Sequence, residues 1–511
     1  MKRFQRMILQ QMIRRENLTN IDMVLAQKYA SDFSIPIELA QIVAKRFPKY
    51  SEARVFLFPE VKYFYNPETI PDIELATDEI LKSLNKREGI LIYCHDDPDG
   101  YTSAAIMYKT LNDLRRANNE SIFVYPVIRE KDGYILNPDV LRDYKQKGVN
   151  LIVTVDFGIS SGDNFRIAKD QGLKLVVCDH HEIKSTNFSV PAVDPKRPDS
   201  KYPFRELAGV GVSFKLAQSL YQKAFNLNPD EFYNLKKEFF PLALVGTISD
   251  RVVLREENRI FCYHGIQIFN RIDTPWIRYF RKGGEIGITR ITGEIIPTIS
   301  SAAYIKPKYG VDILLSQDEN YVFDTIAKLK GIITKRRQGA ELLFKETLSA
   351  ANIFPKLVVS IIPYSGERYL GAVSARLRDY YKRTSTVIGI KNGKCYGELR
   401  SNDIDLYEML HSFQQFFLDF GGHRKAAGFT MLQQNLDRFV DGVQKYISDC
   451  EEAISNEQSV SNNLPVAFLD KSNVNILKPL TPFGEGNPPP VLTDGVSVYT
   501  IDNRFNIIDK E

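Results

Sequence analysis

Short apolar runs and helical periods alternate along most of this chain. GILIY (89–93), NLIVT (150–154) and LKLVV (173–177) are compact, largely apolar runs, each the length of a buried strand. Helix-like stretches lie between and beyond them. That alternation over residues 89–316 predicts a doubly wound α/β domain built on a parallel sheet. Residues 1–88 read as a mostly helical lead-in, with a Pro- and aromatic-rich stretch at 58–71. In DENYVFDTIAKLKGIITKRRQGAELLFKETLSA (318–350), Val322, Ile326, Leu329, Ile333, Leu342 and Leu343 keep a helical period, which predicts a connecting helix over 317–352. A smaller α/β domain is expected over 353–457, with strands LVVSIIP (357–363), STVIGIK (385–391) and KCYGEL (394–399) and a Gly-rich loop GGHRKAAGFTM (421–431). Residues 458–511 read as a linker and a short C-terminal segment, in which the Pro/Gly turn cluster PLTPFGEGNPPPVL (479–492) precedes a final short strand.

Length and composition narrow the class. At 511 residues the chain is too long for one core, and 43% hydrophobic with 25% charged residues is ordinary for a folded soluble protein. A formal net charge of +4 does not by itself imply nucleic acid, although a nuclease can concentrate its cations in one groove. No apolar run approaches the roughly 18 residues of a membrane helix. MKRFQRMILQQMIRRENL at the N-terminus lacks a signal peptide's continuous core and, with few serines, makes a poor mitochondrial presequence. The five cysteines form no CxxC pair, so neither a zinc ribbon nor a disulfide framework is indicated. A cytoplasmic protein is expected.

The chemistry gathers where the apolar runs end. CHDDPDG (94–100), VDFG (155–158) and CDHH (178–181) each follow one, and TISD (247–250) comes later. A parallel sheet ends its strands on one edge, so these segments can converge in one cleft. Asp97, Asp99, Asp156 and Asp250 with His95, His180 and His181 suit two hard or borderline divalent ions, and the chemistry implied is phosphodiester hydrolysis. Crowded carboxylates repel one another unless a cation sits between them. Gly100 allows a tight turn before a helix in YTSAAIMYKTLNDL (101–114), and Asp96 and Pro98 read as spacers. Taken singly, each motif also suits a helix cap, a solvated turn or a structural histidine pair; four together favour metal. Asp156 is the natural bridging ligand, His180 would complete one ion, and His181 would contact the phosphate or assist the leaving oxygen.

HDDPDGYTS, VDFGIS, VVCDHHE, VDPKRPDSKYPFRELAGVGVSFKLAQ and GTISDRVVLREENR resemble, in order, the motifs of the DHH phosphoesterase superfamily and its RecJ-type single-strand-specific exonucleases. GELRSNDIDLYEML and FGGHRKAAGFTM resemble the DHH-associated domain, and PFGEGNPPPVL the segment that follows it. The resemblance implies metal ligation by His95, Asp97, Asp99, Asp156, His180 and Asp250, with His181 as the second histidine of the signature. It implies contacts from Arg400, Ser401 and His423 to the nucleic-acid backbone. Two divalent ions, Mn preferred and Mg possible, are implied as cofactors, and single-stranded DNA, or RNA, as the substrate partner. It further implies 5′-to-3′ polarity, mononucleotide products, a role in DNA repair and recombination, and a single-strand-binding protein or helicase as candidate partners.

Three departures stand against the family pattern. His95 occupies a position where bacterial relatives commonly have aspartate, and IPTISSAAY (296–304) puts Ser300 and Tyr304 where asparagine and arginine are expected. The stretch after Pro490 is too short for a complete five-stranded OB barrel, so an incomplete or absent OB fold is expected. WIRYFRKGGEIGITR (276–290) and YIKPKYG (304–310) interleave cations with rings, which suits either single-strand binding or a solvated face beside core aromatics. The rival functions are an oligoribonuclease or cyclic-dinucleotide phosphodiesterase, and a non-catalytic Cdc45-like replication scaffold.

Overall fold

Five parallel strands form the scaffold that positions the candidate site: β1 (Gly89–Cys94), β2 (Ile122–Pro126), β3 (Val149–Val155), β4 (Lys174–Cys178) and β5 (Ala192–Val193), in the order β2-β1-β3-β4-β5. The computed structural model describes residues 23–115, 121–128, 132, 135–160, 162–183, 188–363, 369–454, 463–465, 474–493, 498–503 and 507–509. They divide into two units. One runs to Leu329 and includes the C-terminal segment from Asn462; the other is Lys330–Ser461.

The strands read as unbroken apolar runs because both faces of the sheet are covered. Along β1, Ile90, Ile92 and Cys94 join a core shared with the helices Ile73–Asn85, Pro98–Leu114 and Gly209–Phe225, whereas Leu91 and Tyr93 face the helices Pro138–Gln146 and Gly162–Asp170. The sheet is thus doubly wound, as the alternation of elements predicts. In this strand order the winding reverses between β1 and β3, which leaves a crevice at their C-terminal ends. The helix Phe239–Ser249 runs through the core with nine buried residues, as its uniformly apolar sequence requires.

The second unit contains β6 (Ala351–Ile353), β7 (Leu357–Pro363), β8 (Thr384–Lys391), β9 (Lys394–Arg400), β10 (Phe417–His423) and β11 (Ala426–Leu432), ordered β10-β11-β9-β8-β7-β6. Only β7 and β8 run parallel. The Gly-rich stretch expected as a loop is instead the hairpin β10–β11. Its alternation of buried Ala427, Phe429 and Met431 outweighs the glycines that mark it as a loop. The expected connecting helix is present as Glu319–Ser349.

At the ends, the helical lead-in is as expected and the C-terminal segment differs. Helices Met23–Asp32, Ile37–Arg46 and Tyr50–Leu57 form the lead-in, while residues 1–22 lie outside the described residues. The segment expected as a linker and one strand contains a four-stranded sheet: β12 (Asn463–Pro465), β13 (Val491–Thr493), β14 (Val498–Ile501) and β15 (Ile507–Asp509). Leu477, Leu480, Phe483 and Ile501 pack with Tyr29, Phe47 and Phe56 of the N-terminal helices. The partners of these residues are more than 400 positions away, so no local pattern signals the packing.

Candidate metal centre

Each strand end delivers its side chains through a defined local structure. Asp97 caps the helix Pro98–Leu114, accepting the Gly100 N–H at 3.0 Å, with Pro98 at the first helical position. This motif is therefore a helix cap and a carboxylate cluster at once. Asp156 follows β3 in a left-handed backbone conformation (φ 56), its N–H bonded to the Cys178 carbonyl of β4. Aspartate is among the few residues that tolerate this conformation. Asp179, His180 and His181 follow β4, and Asp250 ends the core helix Phe239–Ser249 rather than a strand.

These side chains meet at the crevice. His180 Nε2 lies 3.1 Å from Asp156 Oδ1, 3.7 Å from Asp250 Oδ2 and 3.9 Å from Asp99 Oδ2. His95 Nδ1 lies 2.8 Å from Asp97 Oδ2. Three groups place one ligand atom per residue within 4.8 Å of one another: His95–Asp97–Asp156, Asp156–His180–His181 and Asp99–His180–Asp250. Asp156 belongs to two of them, as a bridging ligand would, and so does His180.

The crowding of like charge is severe. Burial, followed by the charges of Asp250 and Asp97, pushes the Asp99 carboxyl well above its usual range; burial, then Asp99 and Asp97, does the same to Asp156. Burial and Asp97 raise Asp250 to about 6. Burial and the neighbouring His181 charge lower His180 to about 3, which keeps its ring neutral and able to ligate. The buried Nδ1 of His180 has no hydrogen-bond partner among the described residues, and its Nε2 faces only carboxylate oxygens. Buried polar atoms are normally satisfied, and oxygen donors with imidazole suit Mn or Mg. The residues therefore fit a divalent-metal centre.

The surrounding residues include several that sequence reasoning gave no role. Asp179 accepts the N–H groups of Ile159 (2.9 Å) and His180 (2.8 Å) and lies 2.6 Å from His181 Nδ1. Its charge raises His181 to about 9, so the ring is a cation at neutral pH; burial opposes ionisation of Asp179, but the two histidines hold it below the usual carboxylate range. Asp99 receives the Gly209 and Val210 N–H groups at 2.7 and 2.9 Å, from the first turn of the helix Gly209–Phe225. A Cβ on Gly209 would lie 2.6 Å from Asp156 Cβ, and one on Gly246 2.6 Å from Asp99 Oδ1, so neither position has room for a side chain. The small-residue run AGVGV was the available signal. Lys196 adds positive charge that favours ionised Asp250 and neutral His180.

The other candidates lie in the second unit. Arg400, at the end of β9, pairs with Glu398 at 2.9 Å and donates to the Leu399 carbonyl at 2.7 Å. Ser401 is fully buried, and its hydroxyl is engaged with Thr384 and with the N–H groups of Asp403 and Ile404, which stabilises the turn after β9. His423 ends β10 opposite Ala426, and its side chain lies outside the described residues. In 276–290, Trp276 and Phe280 are core residues, and Arg278, Arg281 and Arg290 are paired with Asp273, Glu319 or Glu294.

Comparisons with known proteins concern the two domains and their fold. The model of the DHH family, N-terminal domain, matches residues 89–247, and that of the DHHA1 domain matches 355–449. The single-stranded-DNA-specific exonuclease RecJ of Bacillus subtilis is 29% identical over 472 residues, spanning 89% of this chain and 58% of that protein. RecJ of Haemophilus influenzae is 26% identical over 475 residues, 88% of this chain and 80% of its own length. The crystal structure of RecJ with Mn2+ from Thermus thermophilus matches with a TM-score of 0.76 at 22% identity, covering 94% of this chain and 71% of that one. A manganese-bound exonuclease RecJ matches at 0.61 and 24% identity, covering 74% and 95%. These structural likenesses show the shared fold.

Proposed function

From the matches to the DHH family, N-terminal domain, over residues 89–247 and to the DHHA1 domain over 355–449, we propose that the chain is a DHH-family metal-dependent phosphodiester hydrolase acting as a single-strand-specific exonuclease, on DNA in the 5′-to-3′ direction and releasing mononucleotides. One observation carries the reading: buried, mutually repelling carboxylates of Asp156, Asp250 and Asp99 converge on Nε2 of the buried, neutral His180 ring at 3.1–3.9 Å. His95, Asp97, Asp99, Asp156, His180 and Asp250 would hold two divalent ions, Mn or Mg. Such ions supply charge neutralisation at the scissile phosphate and an activated water.

The chain's own groups would do the rest. Asp156 would stand between the two ions, and the Gly209 and Val210 N–H groups orient Asp99. His181, held protonated by Asp179 and half-exposed, can donate a hydrogen bond to a phosphate oxygen or a proton to the leaving oxygen. Arg400 and His423 are proposed backbone contacts in the second unit. Because the chain spans 58% of its Bacillus subtilis relative, the relatives' activity and substrate reach this chain as a proposal. A function in DNA repair and recombination, a cytoplasmic location, and a single-strand-binding protein or helicase as partner fit the same reading. No described helix is long and apolar enough to cross a membrane.

Competition tests the proposal. With Mn present, single-stranded DNA should be degraded to mononucleotides while a blunt duplex of the same sequence survives. Preferred cleavage of short RNA or of a cyclic dinucleotide would favour the rival hydrolases, and no cleavage of any of them would favour the scaffold.

A further inference from the structure

The Pro/Gly cluster near the C-terminus grips the chain just beyond Asp250. Asp250 ends its helix, and Arg251 then turns the backbone through a left-handed conformation (φ 58). Within four residues the chain meets the C-terminal segment. The Leu254 N–H donates to the Glu485 carbonyl at 2.9 Å, Arg255 Nε to that of Gly486 at 3.1 Å, and Arg259 Nη2 to that of Pro479 at 2.6 Å. Asn487, fully buried, organises the turn. Its Nδ2 donates to the Leu480 and Pro482 carbonyls at 2.7 and 2.8 Å, and its Oδ1 accepts from Arg46 Nη1 at 2.6 Å. Arg46 Nη2 also reaches the Pro488 carbonyl at 2.6 Å.

We infer that the segment Leu480–Pro488 is a positioning element for Asp250, with Asn487 and Arg255 as its positioning residues. The inference rests on the metal-dependent reading above and adds what fixes the fourth carboxylate. Asp99 and Asp156 are walled in, and so is His180. Their side chains are 2–6% exposed, against 32% for Asp250. Asp250 is anchored by its helix on one side only; on the other, the path of residues 251–255 determines where it points. That path is tied to the C-terminal segment by main-chain and arginine hydrogen bonds, so loosening the segment releases one ligand of the Asp99–His180–Asp250 group. The His95–Asp97–Asp156 group has no such dependence.

The test is Mn2+ titration of the full chain by calorimetry, paired with metal-free melting. The native chain should bind two ions. Asn487→Ala and the exposed Arg255→Ala should each keep one site at native affinity and weaken the other about tenfold, at the lower end of what lost outer support costs a metal site. Arg255→Lys, which retains a donor, should recover most of that loss. Two sites of native affinity in folded Arg255→Ala, or equal weakening of both, would overturn the inference while leaving the metal reading in place. If Asn487→Ala does not fold, Arg255→Ala decides alone. A native chain that binds no Mn2+ overturns the underlying reading, and the inference with it.

Discussion

Asp156 is a buried acid crowded by other acids, an arrangement that costs stability until a cation neutralises it. Asp156→Asn keeps the side-chain shape and tolerates the left-handed backbone, but removes the charge. Hydrolysis is expected to fall by about 100-fold or more, while the metal-free protein melts higher than the native one at pH 7. Calorimetry and single-turnover assays check the pair; near-native turnover with Mn saturated would refute a bridging role. The acids and histidines of the crevice were legible because each follows an apolar run or, for Asp250, an apolar helix. The roles of Gly209, Gly246 and Asp179 were not, because what Gly209 and Gly246 touch lies 36 to 147 positions away and the role of Asp179 depends on its side-chain direction.

At the scale of elements, cap and ligand can be separated at Asp97. Asn is as good an N-cap as Asp, whereas Ala loses about 0.5–2 kcal/mol. Asp97→Asn is therefore expected to melt close to native but bind Mn2+ weakly, and Asp97→Ala to lose both. Equal Mn2+ affinity in native and Asp97→Asn would leave Asp97 as a cap only. In β9, Arg400→Ala should weaken single-strand binding and reduce the log–log salt slope by about 0.7. Anisotropy titrations across a salt series measure it, and an unchanged slope would assign the Arg400 charge wholly to Glu398. Strands β1, β3 and β4 follow from their apolar runs and the long helix Glu319–Ser349 from its hydrophobic period, whereas β2 and the two-residue β5 were not expected. The hairpin β10–β11 escaped that reasoning because Gly421, Gly422 and Gly428 read locally as a loop while cross-strand packing of Phe417 and Phe429 makes them strand.

For the whole molecule, the acid cluster couples stability to pH and metal. Asp250 has a folded value of about 6 against an ordinary 3.8, and burial with neighbouring carboxylates also raises Asp99 and Asp156 well above that ordinary value. The native state thus holds protons that the unfolded state releases, so metal-free stability should fall as pH rises from about 4 through 6 and beyond. His181 adds to the trend above neutrality: its stabilisation is complete below 6.5 and is lost as pH rises through about 9. Mn2+ should reverse the loss, with a stabilisation that grows with pH and reaches about 2.7 kcal/mol at 100 times its dissociation constant. A melting temperature of the metal-free protein that rises between pH 5 and 8 would contradict this. The attachment of Leu477, Leu480, Phe483, Asn487 and Ile501 to the N-terminal helices belongs to this scale too, and it was invisible in the sequence because Arg46 and Asn487 are 441 positions apart.

In the proposed activity this crevice hydrolyses single-stranded DNA from one end with divalent metal. The most direct measurement follows 5′- and 3′-labelled single strands incubated with native protein and Asp156→Ala, with and without Mn2+. Native protein with Mn2+ should release labelled mononucleotide at once from the 5′-labelled strand and shorten the 3′-labelled strand progressively, while the variant and the metal-free reaction leave both intact. Cleavage that persists without metal or in Asp156→Ala, or no cleavage by the native protein, would contradict the account.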